Sequence, residues 1–367
     1  MAGLPLRVGI IGGGFGAAVH LPALTSQPGV QVIAIADSGS GKARPHAIDG
    51  IEYVDWRALV VREDIDAITV AVPPQVQRNI VHAILSNGQH VFCEKPFGSC
   101  LADALAMRDH ARASKKVVAV DFQFRFEPGI EALRYALHAG RIGNPRGADV
   151  SWITAGRARA DVPWSWQNSA VAGGGVIGAY FSHVADILCW LTSISPRAAS
   201  AHCSVLVPER KDGRGIFRSV TAEDSVTALL EFDRDFVASC RITNCQPGGS
   251  GMRIELRGDR GMLVMSHRHP YRHEDCDLVL FPQDGKPESL PIDWPRDPMG
   301  ADSRINAVSR CLGHFLTAVR GGSVVDLPDA DDGVAAQCVM QAVRQSSENH
   351  ARVRVADLAL NLARQNS

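Results

Sequence analysis

The run Gly12-Gly13-Gly14-Phe15-Gly16-Ala17 has the residue types and spacing to hold a phosphate diester. It fits G-x-G-x-x-A, with Gly12, Gly14 and Ala17 in the small positions. Gly12 permits a tight turn, Gly14 lets the backbone approach a pyrophosphate, and Ala17 lets a helix pack close to a strand. A helix opening at Phe15 and Gly16 would present free N–H groups and a partial positive charge to the phosphates. Asp37 stands 23 residues beyond Gly14. At that spacing a carboxylate accepts from the adenosine ribose hydroxyls. It also repels a 2′-phosphate, which favours NAD over NADP. Ser38, Lys42 and Arg44 offer a hydroxyl and two cations that would suit NADP instead. Two further positions fall where ligands bind in such folds, at the carboxyl ends of apolar runs. One is Val72-Pro73-Pro74. The other is Cys93-Glu94-Lys95-Pro96, whose lysine would lie near the nicotinamide. Partial burial and a nearby cationic ring would both lower its pKa.

These residues need a frame. Continuous apolar runs at Leu6–Ile11, 31–36, 66–72, 90–93 and 116–120 alternate with helical patterns at 17–26, 75–86 and 101–113. Strands that are apolar throughout are buried on both faces, as parallel strands with helical crossovers are. The expected class is therefore α/β, with an N-terminal doubly wound Rossmann domain over residues 1–122. Beyond a helix expected at 128–139, strand-like runs dominate at 147–154, 199–207, 225–232, 236–243, 251–258 and 261–265. Turn residues separate them, which predicts a large, mostly antiparallel sheet in a second domain over residues 123–367. Two helical patterns close the chain at 305–320 and 330–349. The polar, Pro-, Asp- and His-rich stretch 267–304 reads as a long loop.

The glycine turn, His90-Val-Phe-Cys-Glu-Lys-Pro96, Phe122-Gln-Phe-Arg-Phe126, Gly173-Gly-Gly175 and Ser182-His183-Val-Ala-Asp186-Ile-Leu-Cys-Trp190 stand in a recognisable order. In these motifs the chain resembles the glucose–fructose oxidoreductase, inositol dehydrogenase and MocA family over nearly its whole length. The resemblance implies a Rossmann domain, a C-terminal α/β domain whose open sheet commonly forms dimers or tetramers, and NAD- or NADP-dependent chemistry on sugars, polyols and related small molecules. It implies that Lys95 is the catalytic lysine and His183 the general acid/base. Imidazole suits that task, because the group that takes a hydroxyl proton needs a pKa near the working pH. Lys95 would hydrogen-bond the same oxygen. Asp186, one helical turn beyond His183, would orient the imidazole. The chain departs from the family's usual residues at Ala179, where an Asp is common. It departs also at Val72 for Thr, Gln77 for His, and Gln167 for the Arg of a Trp-Arg pair. Trp164, Trp166, Asn168 and Tyr180 could meet a sugar through aromatic faces and polar groups. Arg157 and Arg159 would suit an acidic substrate. Arg125 would brace a domain junction or reach the cofactor.

The chain has 367 residues, a net charge of −1, 46% hydrophobic and 21% charged residues. That balance is globular, and it carries no basic field for nucleic acid or a membrane surface. No apolar run approaches the roughly 18 residues that span a bilayer. Neither a signal-peptide pattern nor a Cys-x-x-Cys pair is present, and nine cysteines are an odd number. Reduced thiols in a cytoplasmic protein are expected, with no bound metal. The expected activity is hydride transfer between nicotinamide and a sugar, cyclitol or related molecule, in a homodimer or homotetramer. Two rivals are an NAD-dependent glycosidase with transient redox, and a non-catalytic dinucleotide sensor.

Overall fold

The computed structural model describes residues 4–37, 39–48, 50–268, 275–295 and 302–358. The chain forms two compact units, Met1–Phe126 with Asp297–Val334, and Glu127–Arg296 with Ala335–Ser367.

The first unit is built on six parallel strands: β1 (Leu6–Ile11), β2 (Val30–Asp37), β3 (Glu52–Asp55), β4 (Ala67–Val70), β5 (His90–Cys93) and β6 (Val118–Val120). Their order is β3-β2-β1-β4-β5-β6, with the reversal beside β1. That crevice is where doubly wound sheets bind ligands. Val8, Ile10 and Ile11 of β1 and every residue of β4 are buried. Helices α1 (Leu21–Thr25), α2 (Trp56–Val60), α3 (Pro74–Ser86) and α4 (Leu101–Ser114) connect the strands. The first connection opens with a π turn at Gly16–His20 before α1 begins.

The second unit carries α5 (Pro128–His138), β7 (Pro145–Ile153), α6 (Ser182–Thr192), β8 (Pro196–Ser204), the hairpin of β9 (Glu209–Lys211) and β10 (Phe217–Ser219), β11 (Ser225–Phe232), β12 (Val237–Thr243), β13 (Gly251–Gly258), β14 (Gly261–His267), β15 (Cys276–Pro282), β16 (Glu288–Ser289) and β17 (Val353–Arg354). Its large sheet runs β16-β15-β14-β13-β7-β12-β11-β8-β17. All neighbours are antiparallel except β7 and β12, which pair in parallel. Strict alternation in β11, with Val226, Ala228, Leu230 and Phe232 buried, gives the sheet one apolar face.

Two expectations from sequence change. The stretch 267–304 is not all loop, because its described residues include β15 and β16, paired to β14 and to each other. And α7 (Arg304–Val319), which follows that stretch, sits in the first unit, where the sequence reading assigned all of 123–367 to the second domain. The physical reason is its apolar face. Ile305, Val308, Cys311, Leu312, Phe315 and Leu316 share a core with Val8, Ile10, Val19, Leu24 and Phe92. The last helix is α8 (Ala330–Asn349).

Candidate functional site

In the first unit, the glycine turn is shaped by contacts that leave no room for side chains. Gly12 has φ +152°, and a Cβ there would fall 2.4 Å from the Ala71 carbonyl oxygen. A Cβ on Gly13 would meet the Ala43 nitrogen at 2.5 Å, so the turn seats on the loop after β2. Gly16 also makes a close approach, to Ile10 and Ala71, alongside the buried Ala17. Gly14 differs: no atom lies within 4 Å of its would-be Cβ. Backbone beside open space at a helix opening fits a pyrophosphate.

Asp37 ends β2 and is 3% exposed. Its Oδ1 accepts from the Gly39 and Gly41 amides at 2.8 and 3.1 Å, and Oδ2 from Ala43 at 2.9 Å. Those amides hold its pKa below the ordinary carboxylate value, against burial, which acts the other way. Oδ2 keeps acceptor capacity for a ribose hydroxyl. Ser38 lies outside the described residues.

Pro73 caps the start of α3. Gln77, on the first turns of α3, is fully buried and fastens the segment after β5. Its Nε2 donates to the Glu94 carbonyl at 3.0 Å, and its Oε1 accepts from the Gly98 amide at 2.8 Å. So the glutamine that departs from the family's histidine has a holding task. Lys95, part-buried in that segment, has its pKa pushed down by burial. The charges of Glu94 and Asp121 oppose the shift, and that of Arg304 adds to it. The Glu94 side chain turns inward, with Oε1 3.1 Å from Nε2 of the wholly buried His20. Asp121 Oδ2 lies 3.5 Å from the same nitrogen. His20 and Asp121 did not emerge from sequence reasoning. The signal available was that Asp121, like Glu94, directly follows an apolar strand of the parallel sheet. Among the described residues these three form one group whose geometry could hold a cation. Arg125, 4% exposed, pairs with Asp332 at 3.0 Å within this unit.

In the second unit, His183 and Asp186 are buried one turn apart on α6. A π turn at Ile177–Phe181 leads into α6 and carries Ala179 and Tyr180. The Tyr180 ring meets Trp152 edge-on at 4.6 Å, and the Trp152 ring lies 6.1 Å from that of His183. Trp152, a buried residue near the end of β7, was missed by the sequence reading. The Tyr180 hydroxyl is 3.5 Å from Thr154 Oγ1. Gly175 has φ +95°, and a Cβ there would collide with Glu223, whose Oε1 accepts from the Ile177 amide at 3.2 Å.

The neighbouring loop is tied by arginines. Arg157 donates to Asn168 Oδ1 at 3.1 Å, to Ser165 Oγ at 3.2 Å and to Gln167. Arg159 pairs with Asp161 at the surface. Trp164 donates to the Ser219 carbonyl at 3.1 Å and lies under Arg218, so it serves the hairpin. Trp166 is half-buried in the short turn at Trp166–Asn168, which Ser165 caps.

Two family models match the chain. Residues 6–122 match the oxidoreductase family with NAD-binding Rossmann fold, and residues 130–264 match the GFO/IDH/MocA C-terminal domain. The chain belongs to the Gfo/Idh/MocA oxidoreductase family. It is an NAD(P)-dependent oxidoreductase, with the dinucleotide-binding unit and mixed second sheet of that family. It is 29% identical to an uncharacterized oxidoreductase of Synechocystis sp., over 98% of both chains. It is 24% identical to the levoglucosan dehydrogenase of Pseudarthrobacter phenanthrenivorans, over 96% of this chain and 99% of the relative. The solved structure of levoglucosan dehydrogenase with NADH and L-sorbose superposes with a TM-score of 0.85, at 24% identity, over 95% of this chain and 98% of that one. No helix among the described residues is long and apolar enough to cross a membrane.

Proposed function

We propose that this oxidoreductase moves hydride between NAD and a secondary alcohol or ketone of a sugar, cyclitol or related polyhydroxylated molecule, with Lys95 and His183 as its catalytic residues. The observation that carries the reading is Lys95, part-buried at the carboxyl edge of the parallel sheet with its pKa pushed down. The dinucleotide would lie along Gly12, Gly14, Phe15 and Gly16, its ribose on Asp37, and its nicotinamide end near Pro73, Glu94 and Lys95. Asp37 supports NAD over NADP, because a 2′-phosphate would have to approach a carboxylate already ionised. When bound, the nicotinamide accepts or returns the hydride. Lys95 donates a hydrogen bond to the reacting oxygen and offsets the negative charge that develops on it. The His183 imidazole takes the hydroxyl proton in oxidation and gives it back in reduction. Asp186 orients that ring, while Trp166 and Tyr180 meet the polyol with an aromatic face and a hydroxyl. Ala179 removes a carboxylate from this relay, so His183 carries the proton without it.

The levoglucosan dehydrogenase relative supports a carbohydrate substrate. Nine free thiols support a cytoplasmic enzyme. The large sheet, with Leu229 and Phe281 exposed on its strands, supports a homodimer or homotetramer.

The test is nicotinamide absorbance with NAD and NADP across sugars, cyclitols and sugar acids. We expect turnover with NAD on at least one of them. Lys95→Ala should lower kcat by about 10²–10³-fold, the usual cost of one donor to a developing oxyanion. A Lys95→Ala/His183→Ala double variant with unaltered activity would reject the mechanism. Glycoside cleavage with no net cofactor reduction would move the enzyme to transient-redox chemistry.

A further inference from the structure

Glu94, the chain neighbour of Lys95, belongs to a buried polar box whose charges act on that lysine. His20, Glu94 and Asp121 are 0%, 8% and 0% exposed. The single Nε2 of His20 faces both carboxyl groups, at 3.1 and 3.5 Å. Phe15 and Phe92 wall the imidazole edge-on, at 5.4 and 5.6 Å between ring centres. Neither Asp121 oxygen has a well-formed hydrogen bond, its Oδ2 standing 3.5 Å from His20 Nε2, and the buried Nδ1 of His20 has none.

Charge arithmetic limits what such a box can contain. One imidazolium cannot neutralise two carboxylates, and a second buried negative charge among aromatic rings is expensive. A neutral box has two protons on three groups, and the short His20–Glu94 contact favours the arrangement with His20 charged, Glu94 ionised and Asp121 protonated. Burial and the Glu94 charge push the Asp121 carboxyl up to about 8. The two carboxylates outweigh burial and raise His20 to about 9. Glu94 stays below its ordinary value through His20. Among the described residues, Lys95 and Cys93 also interact electrostatically with this set, and Arg304 acts on Lys95. Arg304 remains a cation, and burial drives the Cys93 thiol well up, so it remains neutral.

We propose that His20 and Asp121 are positioning residues for Lys95, acting through Glu94: the trio holds one net carboxylate proton in reserve and so fixes how much negative charge stands beside the lysine. This rests on the reading of Lys95 as catalytic. Below the Asp121 transition the box is neutral. Above it, the box gains one negative charge, which favours the Lys95 ammonium and keeps it charged to higher pH. The proton leaves Asp121 for solvent, and no other bond changes. The same three groups could grip a cation, but the Lys95 charge opposes one, and His20 and Asp121 are wholly buried.

The experiment reads the lysine without relying on catalysis. The full-length protein is acylated briefly with acetic anhydride across a pH series, and Lys95 modification is followed by mass spectrometry. The kcat/KM profile is recorded beside it. Asp121→Asn mimics the protonated carboxyl at every pH, so the Lys95 midpoint should fall by half a pH unit or more, and the alkaline limb of kcat/KM should move down with it. Glu94→Gln removes the permanent charge and should lower the midpoint further. It also serves if Asp121→Asn does not fold. Unchanged midpoints in both variants would overturn the proposal, as would one equivalent of a divalent metal in the purified protein. A midpoint that moves while kcat/KM does not would uphold the network and reject the catalytic reading of Lys95.

Discussion

Burial acts on two side chains of the dinucleotide unit in opposite ways. Asp37 keeps its charge because loop amides replace the water it loses, and its contribution is present above the ordinary carboxylate pKa and lost in acid. His20 keeps its charge because two carboxyls stand in for water, and its pKa rises from 6.5 to about 9. Raised in the folded state, it contributes stability fully below 6.5 and loses that contribution as pH climbs toward 9. Asp121, also raised, adds to the decline across its own window up to about 8. Urea unfolding of the wild type should therefore show stability falling between pH 6.5 and 9. His20→Gln should be less stable by about 1–3 kcal/mol at pH 6, with the gap narrowing toward pH 9.5. A gap that stays constant over that range would mean that His20 is not charged when folded. Asp37 was legible from its spacing to the glycine turn, but the grouping of His20 with Glu94 and Asp121 was not. His20, Glu94 and Asp121 are 74 and 27 residues apart in turn, and only the strand order brings them together.

At the scale of elements, what could be read in advance followed from local chemistry. β1, the glycine turn and β2 declared themselves because buried parallel strands are apolar throughout and the turn needs residues without side chains. β3, β9 and β10 did not, since Glu52–Asp55, Glu209–Lys211 and Phe217–Ser219 are short and mostly polar or charged. β15 was lost in polar flanks although Cys276, Leu278 and Leu280 alternate inward. The lead-in to α6 was legible as a glycine triplet but not as a device. Gly175 leaves space for Glu223 to accept from the Ile177 amide, and Arg344 approaches the same carboxylate at 3.5 Å. Gly175→Ala would clash with Glu223 and strain a positive φ, so a loss of roughly 1–3 kcal/mol is expected. Because that turn aims Tyr180 and His183, kcat/KM should fall as well. Glu223→Ala should reproduce part of the kinetic loss without the backbone strain. Kinetics unaffected in both variants would remove this turn from the functional machinery.

Across the whole molecule, the path of the chain was the least legible feature. A helical pattern at 305–320 announces an apolar face, but periodicity does not say which core receives it. The answer lies in the shapes of the packed side chains. Phe315 is fully buried, and its ring lies 5.6 Å from that of Phe92 on β5, one residue before Cys93-Glu94-Lys95. Arg310 reaches the Phe126 carbonyl at 2.7 Å, and Gln27 reaches the Ser309 carbonyl at 2.8 Å. A segment late in sequence thus closes the unit that begins the chain. Phe315→Ala would open a cavity in that core at a cost of about 3–5 kcal/mol. Because the cavity lies under β5, the variant should bind NADH more weakly and lose its protection against heat by the cofactor. Leu230→Ala, a truncation inside the second unit's sheet, serves as the control: it should lower stability while leaving NADH affinity within about twofold, since the truncated side chain belongs to the other core. Equal losses of NADH affinity in the two variants would show that α7 has no special part in the dinucleotide unit.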